Sequence, residues 1–94
     1  IWYISLTLGA SGTEYTAPAN GYACIQKKAT AVSQYLSIYR SGQNSLGSYA
    51  DASASATQAL RGYIPVEKGH NFAVSYTVAG STQQFIFIYA EGEN

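Results

Sequence analysis

The sequence FIFIYA at residues 85–90, close to the end of the chain, decides the fold. Side chains alternate between the two faces of a β-strand. One face therefore carries Phe85, Phe87 and Tyr89, and the other carries Ile86, Ile88 and Ala90. Both faces are apolar, whereas a strand with one face in water carries polar residues on that face. We expect this strand to be covered on both sides, by a second sheet on one and by a further element or another copy of the chain on the other.

The same two-residue period recurs along the chain, and turn-forming residues separate the alternating segments. No segment carries a large apolar stripe at helical spacing. The predicted strands span residues 2–8, 21–31, 34–40, 58–66, 70–79 and 83–90, with a short extended piece at 13–16. Residues 49–57 are expected to form a loop with a fragment of edge strand. Seven or eight short strands predict an all-β protein, an antiparallel β-sandwich of jelly-roll type.

The length and charge of the chain favour one small domain that associates with itself. Its 94 residues suffice for a single domain, residues 1–94, and charged residues make up only 11% of it, against about 25% in typical proteins. The formal net charge is zero, so repulsion between copies is weak. Together with the two-sided apolar strand, this predicts an interface between subunits formed by Trp2, Tyr3, Phe85, Phe87 and Tyr89.

Several other kinds of partner are disfavoured by the composition. Nucleic-acid binding needs a basic stripe, and Lys27-Lys28 is the only adjacent basic pair, so no nucleic-acid partner is expected. No apolar run approaches the roughly 20 residues of a membrane span, and nothing resembles a signal peptide, so no membrane insertion is expected. The lone Cys24 forms no internal disulfide framework, which fits folding in a reducing cytoplasm.

The residues with catalytic potential do not form a motif. Cys24, His70 and Asp51 supply a nucleophile, a base and an acid on paper, but nothing in their spacing selects a triad. We favour a structural thiol, a turn histidine and a loop aspartate. One histidine and one cysteine have no metal-ligand spacing. The sequence therefore predicts no enzyme activity, no catalytic residue, no metal and no cofactor.

Tyrosine with serine, asparagine and glycine makes an adaptable recognition surface, although the same tyrosines also suit packing in a sheet or at a subunit contact. Recognition falls mostly on loops held by a rigid scaffold, and the longest predicted loop is residues 41–57. At its base, Arg40 is suited to donate two hydrogen bonds to an acidic sugar or another carboxylate. The candidate receptor-binding residues are Arg40, Gln43, Asn44, Tyr49 and Asp51.

Three segments resemble the small β-domains at the C-terminus of bacteriophage tail-fibre and head-fibre proteins. They are TAPANGY at residues 16–22, YIPVEKG at residues 63–69 and the phenylalanine-rich final strand at residues 85–89. The resemblance spans residues 15–90 in the expected order. His70 stands where the family is expected to have aspartate, which bears on the local turn and not on the fold.

The resemblance implies a homotrimeric tip that attaches a virion fibre to a receptor on the bacterial surface, either a glycan or an outer-membrane protein. The chain begins at Ile1, and we expect the C-terminal domain of a longer fibre protein, assembled in the host cytoplasm. The family has no common receptor-binding residues, so none is assigned from it. The alternatives are a trimerisation, capping or capsid-decoration module without a ligand and, more distantly, a carbohydrate-binding module of a bacterial enzyme.

Overall fold

The computed structural model describes residues 2–42 and 48–92, which form eight strands and no helix. The strands are β1 (Tyr3–Ser5), β2 (Glu14–Thr16), β3 (Gly21–Lys28), β4 (Tyr35–Arg40), β5 (Ser48–Ala52), β6 (Ala59–Val66), β7 (Asn71–Tyr76) and β8 (Thr82–Tyr89). Most are shorter than predicted. In particular, β1 ends at Ser5 rather than at residue 8.

The strands form two four-stranded antiparallel sheets. Sheet A has the order β1-β8-β3-β6, and sheet B has the order β2-β7-β4-β5. Strands that follow one another in the chain mostly lie in opposite sheets, so the chain crosses repeatedly from one layer to the other. Eight antiparallel strands connected in this way form a jelly roll. The predicted fold class is confirmed.

The core lies between the two sheets and is built from every second residue of the strands. In β3 the alternation is complete, since Gly21, Ala23, Ile25 and Lys27 are buried and the residues between them are more exposed. The largest fully buried side chains are Phe72, Phe87, Leu36, Ile38, Leu60, Val74 and Val78. Leu6 and Leu8 follow β1 and pack against this core, which explains their period-two spacing although no strand continues there.

The structure corrects the predicted role of the aromatic residues of β8. Phe85 and Phe87 are 4% and 0% exposed because they face sheet B of the same chain. The Phe87 ring centroid lies 6.3 Å from that of Phe72 and 6.0 Å from that of Tyr89, and Tyr89 also packs against the core. The prediction that Phe85 and Phe87 contact another subunit is therefore wrong, since the chain's own second sheet encloses them.

The second correction concerns the predicted loop at residues 41–57, because residues 48–52 form the strand β5. β5 pairs with β4 along its whole length, from Tyr35 opposite Ala52 to Tyr39 opposite Ser48. β5 lies at one edge of sheet B, which agrees with the fragment of edge strand expected at residues 49–57. Tyr49 and Asp51 therefore sit on a strand rather than in a loop.

Phe87→Ala is expected to lower the free energy of unfolding by about 3–5 kcal/mol, because it leaves a cavity where three aromatic rings meet. Urea denaturation followed by circular dichroism measures the change. Tyr35→Ala, on the exposed face of sheet B, serves as the control with a much smaller loss. If Phe87→Ala has the same free energy of unfolding as the wild type but a lower mass in solution, Phe87 contacts another subunit and the core assignment is wrong.

Candidate functional site

Two turns and the end of β4 meet at one end of the sandwich, which we call the Arg40 end. The turn at 17–20 and the turn at 67–70 are joined by backbone hydrogen bonds. The Gly69 amide donates to the Ala17 carbonyl, and the Ala17 amide donates to the His70 carbonyl, both at 2.9 Å. Gly69 has a φ of 84°, a left-handed conformation that favours glycine. These bonds hold the 67–70 turn in place beside the end of β4.

Arg40 is the last residue of β4 and lies on its core-facing side, in the same row as Leu36 and Ile38. Its side chain therefore starts between the sheets and reaches their open end. The residue is half-buried, and its Nε is closed to solvent without a hydrogen-bond partner in the described part of the chain. A buried donor without an acceptor typically costs about 1–3 kcal/mol, so Arg40 is poorly explained as a structural residue.

On one side of Arg40 lies a cleft of about 240 Å³, which we call the tyrosine cleft. Its wall includes Tyr22 and Pro65, which are opposite each other in the register of β3 and β6. The Tyr22 side chain is 44% exposed. Glu67 also lines this cleft. The cleft therefore joins an aromatic surface to one cation and one anion.

On the other side of Arg40 lies a second cleft of about 360 Å³, bordered by Ser41, His70 and Asn71, which we call the histidine cleft. A carboxylate from β2 positions two of these side chains. Glu14 accepts hydrogen bonds from Ser41 Oγ at 2.8 Å and from Asn71 Nδ2 at 3.3 Å. Ser41 and Asn71 are thus joined through one carboxylate beside Arg40.

A second cation, Lys27, occupies the equivalent core-facing position at the opposite end of the sandwich, six residues after the start of β3. It is 9% exposed. Its Nζ donates to the Gly80 carbonyl at 2.6 Å and to Thr82 Oγ1 at 3.4 Å, and lies 5.3 Å from the centroid of the Tyr76 ring. Lys27 is therefore a satisfied structural residue and does not form an exposed basic pair with its neighbour. Lys27 Nζ thus has hydrogen-bond acceptors, whereas Arg40 Nε has none in the described part of the chain.

Of the remaining predicted receptor-binding residues, the two that the structure describes, Tyr49 and Asp51, lie on β5 and line neither cleft. Gln43 and Asn44 lie outside the described residues. Asp51 is opposite Leu36, at the far end of β4 from Arg40, and its Oδ1 accepts from the next backbone amide at 2.9 Å. Of the predicted set, the structure therefore places Arg40 beside the two clefts and Asp51 away from them.

Tyr49 has a packing role that the sequence did not indicate. It is opposite Ile38 in the register of β4 and β5, and its ring lies over Gly62 at the edge of sheet A. A Cβ at Gly62 would be 3.1 Å from Tyr49 Cδ1. The ring centroid is also 6.1 Å from that of Tyr63, in a stacked arrangement. Tyr49 therefore closes one side of the sandwich while remaining 44% exposed.

The three residues considered for a catalytic triad lie in different places. Cys24 is on the outer face of sheet A, where burial raises the pKa of its thiol, whereas His70 is at the Arg40 end and Asp51 is on β5 of sheet B. Within residues 2–42 and 48–92, no three His, Cys, Asp or Glu side chains form a group that could hold a metal ion. The same residues contain no helix long and apolar enough to cross a membrane.

Comparison with known proteins gives little guidance. No protein family matches the chain, and no curated protein matches it. One solved structure with a similar architecture is a carbohydrate binding module from Cellvibrio mixtus lichenase 5A, in complex with cellotriose. It is 17% identical with a TM-score of 0.42, and the match covers 94% of this chain and 70% of that one. A likeness of this degree says nothing about the ligand of the present chain.

Arg40→Met is expected to leave the free energy of unfolding unchanged or slightly higher, because it removes a buried donor that no acceptor satisfies. Lys27→Met is expected to lower it by about 1–3 kcal/mol, because the Gly80 carbonyl loses a charged donor. Urea denaturation of the two variants in parallel makes the comparison. If Arg40→Met lowers the free energy of unfolding as much as Lys27→Met does, Arg40 stabilises the fold and its role is structural.

Proposed function

We propose that this chain is the tip domain of a bacteriophage fibre, that it assembles as a homotrimer, and that its Arg40 end binds a receptor on the surface of the host bacterium. The observation that supports receptor binding is the half-buried Arg40, which borders two clefts. Within residues 2–42 and 48–92, no acceptor fixes its Nε in a structural role. The resemblance of residues 15–90 to fibre tips supports the biological setting.

The chemistry of the Arg40 end favours a glycan that carries a carboxylate. A guanidinium binds a carboxylate through parallel hydrogen bonds, and because Nε is closed to solvent, the terminal nitrogens of Arg40 would make them. Glu67 and Glu14 lie nearby and would repel a multiply charged phosphate more than a single carboxylate. The exposed Tyr22 ring offers an apolar surface for the rest of a sugar.

Assembly would compensate for a weak single site. Three identical sites on one fibre tip bind a repetitive surface with an avidity that can exceed the single-site affinity by about 10²–10⁴. A single Arg–carboxylate contact in a shallow cleft is then sufficient for attachment. This agrees with the small size of both clefts.

The second candidate function is a structural module that trimerises or caps a fibre without a ligand of its own. The apolar outer face of sheet A, with Tyr63 61% exposed, favours assembly irrespective of any receptor. This alternative gives Arg40 no role, so the two candidates differ in what an Arg40 variant does.

Arg40→Met is expected to weaken attachment of the fluorescently labelled domain to host cells by about tenfold or more, the effect of losing a charged hydrogen bond. Arg40→Lys is expected to be intermediate, because it keeps the charge but loses the planar fork. Lys28→Met, which removes the same charge from the opposite end, is the control. Glucuronic acid should compete with attachment at concentrations at which glucose does not.

Attachment of Arg40→Met at the wild-type level would reject the Arg40 end as the receptor site. If the wild-type domain itself binds no host cells, the structural module without a ligand becomes the better account. Flow cytometry over a range of domain concentrations provides both measurements.

A further inference from the structure

We infer that the outer face of sheet A, the side turned away from the core, is the surface through which copies of this chain assemble. This inference rests on the proposed homotrimer and specifies its contact surface. The first of three rows of side chains across this face contains Tyr3, Ile88, Tyr22 and Pro65, which are opposite one another in β1, β8, β3 and β6. The whole width of the sheet is therefore apolar or aromatic at this level.

The second row contains Ser5, Ile86, Cys24 and Tyr63, again in register across the four strands. Tyr63 is 61% exposed. Ile86 is 6% exposed although it lies on the opposite side of the sheet from the core and outside the core cluster. It forms the floor of a shallow apolar surface with aromatic residues around it.

The third row is polar and bounds this surface. Gln84 and Arg61 flank Gln26 in register. Arg61 Nε donates to Gln26 Oε1 at 2.8 Å, and Gln26 Nε2 donates to Gln83 Oε1 at 2.7 Å. An apolar centre with a polar rim is the usual anatomy of a protein–protein interface.

The outer face of sheet B provides a comparison within the same molecule. Ser37 is opposite Ser75, and Thr16 is opposite Asn71. Small polar residues of this kind are typical of a sheet face in water. Tyr35 and Tyr39 also lie on the outer face of sheet B, where Tyr39 is opposite Ser48 and Ala73. The described rows of sheet B thus mix aromatic, small and polar residues, whereas the first row of sheet A is apolar or aromatic throughout.

A second copy of this chain is the partner that the charges favour. The three rows contain one charged residue, Arg61, and it is already bonded to Gln26. The chain as a whole has a formal net charge of zero. Copies of this face arranged around a threefold axis therefore meet without like-charge repulsion across the apolar rows, whereas a strongly charged partner would find no complementary charge there.

The size of the face indicates how tight the contact is. Four strands about 4.8 Å apart and three rows about 7 Å apart give a flat area of roughly 400 Å². This is less than the roughly 800 Å² that each partner buries in a standard interface. Trp2, which is 61% exposed with its ring centroid 4.5 Å from that of Tyr3, extends the surface at the β1 edge. We therefore expect self-association of the isolated domain to depend on concentration.

This arrangement connects assembly to the proposed receptor site. Tyr22 and Pro65 belong both to the first row and to the tyrosine cleft beside Arg40. A copy packed on the outer face of sheet A consequently borders the tyrosine cleft of its neighbour. Tyr22 and Pro65 would then contribute both to receptor binding and to the contact between copies.

Tyr63→Lys tests this inference, because it places a charge on the apolar face at a position exposed enough to tolerate it. Sedimentation equilibrium is expected to give a wild-type mass that approaches three times the chain mass, and a dissociation constant at least about tenfold higher for Tyr63→Lys. A species that saturates at twice the chain mass would reject the homotrimer. Tyr35→Lys makes the same substitution on the opposite sheet, where Tyr35 is 42% exposed, and should associate like the wild type.

The outcomes separate the two proposals. If the wild type is a monomer at every concentration, both the homotrimer and its surface are rejected, while receptor binding is still decided by the Arg40 variants. If Tyr63→Lys associates as tightly as the wild type, only the sheet A face is rejected. Circular dichroism verifies folding, and Tyr22→Lys replaces Tyr63→Lys if that variant does not fold.

Discussion

The strand β8 lies between β1 and β3 and has apolar side chains on both of its faces. Its core face requires a second sheet over Phe85 and Phe87, and the chain supplies that sheet from β2, β7, β4 and β5. Its outer face carries Ile86 and Ile88, which no second sheet covers within residues 2–42 and 48–92. The jelly roll thus encloses one side of this inner strand, and we propose that the other side lies at the contact between copies.

The open ends of the sandwich impose a second constraint. The last core-facing residue of a strand lies where the space between the sheets opens to water. At one end the row of β3 finishes with Lys27, whose ammonium group is bonded to Gly80 and Thr82. At the other end the row of β4 finishes with Arg40, whose Nε has no partner in the described residues. A long cationic side chain suits both positions, since its stem packs on the core and its charge reaches water. Lys27 is thus held by structural partners, whereas the ligand that we propose for Arg40 would bind its terminal nitrogens.

Much of the fold follows from the sequence, because period-two alternation identifies which residues share a strand face. It correctly placed most strands and the antiparallel sandwich. The alternation does not say which face of a strand lies in the core when both faces are apolar. For this reason the sequence predicts Phe85 and Phe87 at a subunit interface, whereas the structure places them in the core. The residues on the outer face are Ile86 and Ile88. β5 was only partly foreseen, because an edge strand of serine and alanine carries little hydrophobic pattern.

The candidate site was predictable only in part, and for a related reason. Arg40 is recognisable in sequence as an arginine that ends an alternating strand. Its neighbours Tyr22, Pro65 and His70 come from β3, β6 and the turn at 67–70, and only the folded topology brings such distant segments together.

Cys24 lies in the second row of the sheet A face and provides the most direct test of the claim that this face is buried between copies. The measurement is the rate at which a maleimide modifies Cys24 as the protein is diluted through its association range. A Cys24→Ser, Ser37→Cys variant, whose thiol lies on the outer face of sheet B, serves as the reference. The account predicts that Cys24 is protected in the assembled protein and becomes reactive on dilution, while the reference thiol reacts at one rate throughout. Modification of Cys24 at a rate that does not change with protein concentration would contradict it.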